Sequence, residues 1–156
     1  MFSGCVNLVK GPSILPAMTT YAYCYADMFR KCSSLTAAPK LPAKSIFGTY
    51  CYSGIFRECT VLSSVEVGLI SWSSDSTTTH KWLSDTATNG VFKKTYTLPE
   101  TRGDGKIPQD WTVEIYDYSG APFTFEAIGD SVTVELHNDN DPGNLNLQYN
   151  KNDTGW

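Results

Sequence analysis

Five cysteines are the residues of this chain whose type and spacing could do chemistry. Cys5, Cys32 and Cys59 stand 27 residues apart, and Cys24 and Cys51 share that step. A thiol can attack a substrate, bind zinc, form a disulfide or pack as a small hydrophobe. Attack needs a histidine close by, and both histidines, His80 and His137, lie outside the stretch that carries the cysteines. Zinc ligands come in short spacings, whereas seven residues separate Cys24 from Cys32. A disulfide such as Cys24 to Cys51 stays open, because stacked strands lie about 4.8 Å apart, inside the Cα range of a disulfide. It would add about 3.5 kcal/mol in the chain-entropy model. The residue type favours a buried ladder of free thiols, each Cys stacked on its equivalent one step away.

Other reactive groups are sparse. Asp139-Asn140-Asp141 offers oxygen ligands without the calcium-loop pattern and its closing Glu, which suits a hairpin tip. Asn152-Asp153-Thr154 fits the glycosylation sequon. There is no Gly-rich phosphate loop, nucleophile elbow or informative pair of carboxylates. No catalytic residue, cofactor or metal is expected.

The cysteines are part of a wider repeat. Met1-Phe2, Met28-Phe29 and Ile55-Phe56 recur at the same step, as do Leu8, Leu35 and Leu62. A fixed period of this size means stacked units that bury a continuous core between neighbours. Within a unit, Cys24, Tyr25, Met28, Phe29 and Cys32 fall on one face of a helix, and Cys51, Tyr52, Ile55, Phe56 and Cys59 repeat the pattern. Leu35, Ala38 and Leu41 follow, with Pro39 and Pro42 between them forbidding a helix. Each unit therefore predicts a short strand, a Pro-containing turn and a short helix. Leu8, Gly11 and Ile14, then Leu35, Ala38 and Leu41, then Leu62 and Val65 are expected to point inward. Lys10, Ser13, Lys40, Ser64 and Glu66 are expected on the outer sheet face, as candidate partner-binding residues.

The stretch CYADMFRKCSSLTAAPKLPA at positions 24–43 resembles the leucine-rich repeats of the bacterial surface-antigen type, called BspA-like. The resemblance covers about residues 1–70, two full units and part of a third. It implies a protein of a bacterial cell surface, or a structural or tail-associated protein of a phage. It also implies binding and adhesion without catalysis. Residues 71–113 resemble the segment that ends such arrays, with Trp82, Phe92, Ile107 and Trp111 available to cover the last unit.

From Trp111 the period is two. Trp111, Val113 and Ile115 alternate, then Phe123 and Phe125, Val132 and Val134, and Leu145 and Leu147, with Gly- and Pro-containing turns between. Residues 114–156 thus read as a small, incomplete antiparallel β-module. The expected class is α+β: a short leucine-rich-repeat solenoid, its cap and that module. Its core should hold the five cysteines, Leu8, Leu35, Leu62, Phe29, Phe56, Trp82 and Trp111.

Composition narrows the partners. The hydrophobic share of 41% supports a packed core. Charged residues make up 18%, below the usual quarter, and Ser and Thr about a fifth. A net charge of −4 offers no basic patch for nucleic acid, and no apolar run reaches the length of a membrane span. The first residues carry no secretion signal, and Met1 occupies the place of Met28 in the next unit, so the chain is expected to begin inside a longer array. A protein or glycan surface is the expected partner, on a cell surface or a virion. A glycan-active enzyme's appendage is the remaining alternative.

Overall fold

The computed structural model describes residues 1–117. The chain winds in coils, and each coil lays an extended segment beside that of the coil before. Three of these segments are full strands: β1 (Ser64–Glu66), β2 (Val91–Thr95) and β3 (Thr112–Asp117). They form one sheet in the order β1-β2-β3, and both pairings are parallel. Single bridges extend the ladder to the earlier coils, Lys10 to Ala37 and Ala37 to Ser64. Lys10, Ala37, Ser64 and Val91 keep the 27-residue step, and Val91 then pairs with Thr112 after only 21.

The helices expected over Cys24–Cys32 and Cys51–Cys59 are not there; no helix is present among the described residues. An α-helix keeps its N–H groups for carbonyls four residues back in the same segment. Here the donors split. Cys24, Ala26, Met28, Arg30 and Cys32 close turns onto carbonyls three residues back. Tyr23, Tyr25, Asp27, Phe29 and Lys31 donate to Thr49, Cys51, Ser53, Ile55 and Arg57 of the next coil, at 2.9–3.0 Å. The run is a string of overlapping turns, and every second donor stitches coil to coil.

That geometry requires left-handed backbone every fourth residue. Tyr23, Asp27 and Lys31 have φ of 59°, 50° and 63°, and Tyr50, Gly54 and Glu58 repeat them. Each non-glycine residue there costs about 1–2 kcal/mol, which the bonds between coils offset. A helical period of 3.6 and this period of four place nearly the same residues inward. The apolar spacing therefore fits both.

The expected α+β leucine-rich-repeat solenoid with an antiparallel module is overturned on a second count. β3, which holds Val113 and Ile115, pairs parallel to β2, with Phe92 opposite Val113 and Lys93 opposite Glu114. Alternation fixes which face a side chain takes and carries no information on strand direction. The chain returns from β2 through a crossover held by Arg102, whose guanidinium donates to the carbonyls of Pro108, Gln109 and Trp111 at 2.8–2.9 Å. The segments expected as strands around Phe123, Val132 and Leu145, together with His137, Asp139-Asn140-Asp141 and the sequon, lie outside the described residues.

The core fills the space inside the coils. Phe2, Phe29 and Phe56 stack face to face at 5.3 and 5.7 Å between ring centres, and Tyr25 stacks on Tyr52 at 5.8 Å. Cys32 and Cys59 donate their thiol hydrogens to the carbonyls of Phe2 and Phe29, at 3.1 and 3.0 Å. Leu35, Leu62, Trp82 and Trp111 are buried, and Leu8 is half-buried against them. Trp82 and Trp111 also satisfy their indole N–H groups, on the carbonyls of Lys106 and Ala87.

Three expected core positions differ. Cys5 and Cys24 are exposed, because they lie on the coils at the edge of the described stack. Ile14 faces solvent at 41%, and Leu15 is buried in its place. The reason is a shortened step. Ile14 pairs with Lys40 and Leu41 with Val67, 26 residues on, so the inward position moves by one.

Candidate functional site

Outward side chains of the sheet gather into rows that run from coil to coil. One row is Lys10, Ala37, Ser64, Val91 and Thr112. The next carries charge of alternating sign: Lys40, Glu66, Lys93 and Glu114. Glu66 is opposite Lys93, and Lys93 is opposite Glu114. Lys40 Nζ lies 2.8 Å from a Glu66 carboxylate oxygen, and Lys93 Nζ 3.4 Å from Glu114. Opposite charges on neighbouring strands stabilise the pairing, and like charges would oppose it.

The structure therefore brings together some of the candidate partner-binding residues. Lys40 and Glu66 form an ion pair. Lys10 and Ser64 share the first row, two coils apart, with Ala37 between them. Ser13 is exposed, and its carbonyl accepts the N–H of Lys40 at 3.0 Å. Lys93, Glu114 and Tyr116 complete this face and were missed from the sequence. Lys93 was within reach, since it stands 27 residues after Glu66. Tyr116 was not, because its segment read as part of a separate module.

Tyr116 closes one side of a cleft of about 280 Å³ on this face. Ile14, Lys40, Pro42, Lys44, Glu66 and Asp117 are among its other lining residues. The Tyr116 hydroxyl donates to the carbonyl of Val67 at 3.0 Å, so the side chain bridges from β3 over to the end of β1. Burial pushes its phenol above the ordinary range, and the Glu66 and Asp117 carboxylates add to the rise. Gly68 lets the backbone approach closely here, because a Cβ would come within 2.5 Å of the Pro42 carbonyl oxygen. Beneath the sheet, Lys94 turns inward. Its ammonium donates to the carbonyls of Leu98 and Thr95 at 2.6 and 3.2 Å, which pins the turn after β2.

A second cleft, of about 220 Å³, opens between the fourth run of turns and the crossover. Trp82, Ser84, Asp104 and Lys106 line it. At its rim His80 Nδ1 lies 3.3 Å from Asp104, and both side chains are about half exposed. A His–Asp pair can orient an imidazole as a general base. Among the described residues, no thiol or hydroxyl side chain hydrogen-bonds that ring, and no three His, Cys, Asp or Glu side chains are grouped to hold a metal ion. Two of the buried thiols are also set against reaction. Burial pushes Cys51 up to about 11 and Cys59 up to about 12, which keeps both protonated at neutral pH.

No helix among the described residues is long and apolar enough to cross a membrane. Comparison with family models, with curated proteins and with solved structures finds no match to this chain.

Proposed function

We propose that the chain is a non-catalytic interaction module whose working surface is the outer face of the parallel sheet. The carrying observation is the charged row Lys40-Glu66-Lys93-Glu114, beside a cleft walled by Tyr116. Coil repetition spreads that row over successive coils, a geometry suited to extended, shallow partners. The module binds a protein or glycan surface. The hydroxyl-rich composition and the likeness of residues 1–70 to BspA-like repeats favour adhesion on a bacterial surface. The same face would equally serve host contact in a phage tail or fibre.

The test is binding of the labelled, intact chain to bacterial and host cells. Lys40→Gln with Lys93→Gln, which removes the ammonium groups without setting carboxylates against one another, should lower binding at least ~tenfold. The thermal midpoint should move little, because exposed ion pairs contribute about 0–1 kcal/mol. Tyr23→Ser, on the turn side, should leave binding unchanged. The reverse pattern would transfer the working surface to the turn side.

A further inference from the structure

We propose that the Tyr116 cleft holds one neutral sugar ring of a glycan. This rests on the sheet-face reading and names its ligand class. The charges around the cleft balance. Lys40 and Lys44 supply two ammonium groups, and Glu66 and Asp117 two carboxylates. A polyanion arriving there meets Glu66 and Asp117, and a polycation meets the lysines. A lipid chain would desolvate the Lys40–Glu66 pair without replacing its hydrogen bonds, which is strongly unfavourable.

A hydroxyl group has the opposite match. It donates to a carboxylate and accepts from an ammonium at once, and the Lys40–Glu66 pair sets those two groups 2.8 Å apart. Sugars carry such hydroxyls on adjacent carbons. They also carry a face of weakly positive C–H groups, which the negative face of an aromatic ring attracts. Tyr116 supplies that ring, 45% exposed and held by its hydroxyl on the Val67 carbonyl at 3.0 Å. A ring already fixed in place loses little freedom on binding.

Position excludes a peptide added as a strand. Strand addition uses an open sheet edge, while the backbone beside the cleft is paired. Leu41 donates to Glu66, and Val67 donates to Lys93. A ligand here must be held by side chains. The volume of about 280 Å³ lies just under the ~300–1,000 Å³ of sites for larger small molecules, which fits a single ring. One ring in a shallow cleft binds weakly, so useful affinity would come from many copies meeting a glycan-coated surface.

Isothermal titration of the intact chain with neutral gluco-, manno- and galacto-oligosaccharides, and with heparin as a polyanion, tests this. At least one neutral series should bind saturably and heparin should not compete. Tyr116→Ala should weaken binding at least ~tenfold, and Tyr116→Phe should stay within ~threefold because it keeps the ring. Should Tyr116→Ala fold poorly, Lys44→Glu at the exposed rim should still lower affinity several-fold by replacing an ammonium donor of the cleft with a carboxylate. Binding indifferent to Tyr116→Ala and Lys44→Glu, a preference for heparin, or no binding to any neutral series would each overturn the proposal. If sugars fail while cell binding still responds to Lys40→Gln with Lys93→Gln, only the ligand class is wrong. If cell binding ignores those two changes, the sheet-face reading falls as well.

Discussion

On the turn side of the stack the same residue types return over the first three coils. Phe2, Phe29 and Phe56 form one column, and Cys5, Cys32 and Cys59 another. On the sheet side the equivalent positions read Lys10, Ala37, Ser64 and Val91. The difference follows from what each side must satisfy. A turn-side residue stacks on its own equivalent one coil away, so one side chain that fits can recur. Its backbone must also hold left-handed φ and send alternate donors across. An outward sheet residue is limited only by pairing with its neighbours, and it is free to vary. Repetition marks what locks the coils together, and variation marks the surface left for a partner.

Core truncation should break the two sides apart most clearly. Phe29 is fully buried between Phe2 and Phe56. Phe29→Ala should cost about 3–5 kcal/mol, the usual price of an aromatic cavity. Val91→Ala, at a half-buried position on the sheet side, should cost well under half of that. Urea denaturation of both variants measures the ratio. Equal costs would mean that the phenylalanine column does not lock the coils.

Backbone handedness gives the next effect. Gly54 has φ of 59°, and a Cβ there would run into the Asp27 carboxylate. Gly54→Ala should destabilise by about 1–2 kcal/mol. Lys81 occupies the equivalent position one coil later with φ of 50°, and it is exposed. Lys81→Gly should therefore be neutral or stabilising by up to ~1 kcal/mol, although glycine destabilises most regular structure. A loss of stability on Lys81→Gly would count against the left-handed turn column.

The thiols sharpen the comparison within the turn side. Cys5 and Cys24 are exposed and should label rapidly in the native chain, whereas Cys32, Cys51 and Cys59 should wait for unfolding. Native labelling of all five would contradict the ladder. For Cys51 and Cys59 the folded thiol titrates near 11 and 12, against an ordinary value of 9.0. Below pH 9 both states hold the proton, so these groups leave stability unchanged. Above it the unfolded chain ionises first, and stability should fall between about pH 9 and 12. Replacing Cys51 and Cys59 by Ala should flatten that part of the curve, at a cost in stability below pH 9.

Much of this arrangement was readable in the sequence. The 27-residue step gave the stacking register from Lys10 to Val91. Burial of Cys32, Cys59, Phe29 and Phe56 followed from the periodic apolar positions. The helix was misread because i, i+1, i+4, i+5 and i+8 satisfy a four-residue turn period as well as a helical one. Positive φ at Asp27 and Lys31 leaves only a faint mark in residue type: Gly4 and Gly54 stand at the equivalent places, and Asp is among the residues that tolerate it. Ile14 was placed inward because a change of step from 27 to 26 is silent in sequence. The direction of β3 was equally silent, and with it the arrival of Tyr116 over β1.

The smallest effect concerns the charged row itself. Lys40 and Glu66 meet at 2.8 Å, but the lysine side chain is 59% exposed. Water screens such a pair, and ordering a long side chain offsets part of the gain. A double-mutant cycle on Lys40→Ala and Glu66→Ala should give a coupling of about 0.2–1 kcal/mol at low salt, falling further in ~1 M salt. The row would then contribute little to holding coils together. A coupling above ~2 kcal/mol that persists in high salt would make it a structural lock like the phenylalanine column, and the contrast between the two sides would be lost. With a small coupling, any large loss of partner binding on Lys40→Gln must come from the contact surface, since the fold barely registers the change.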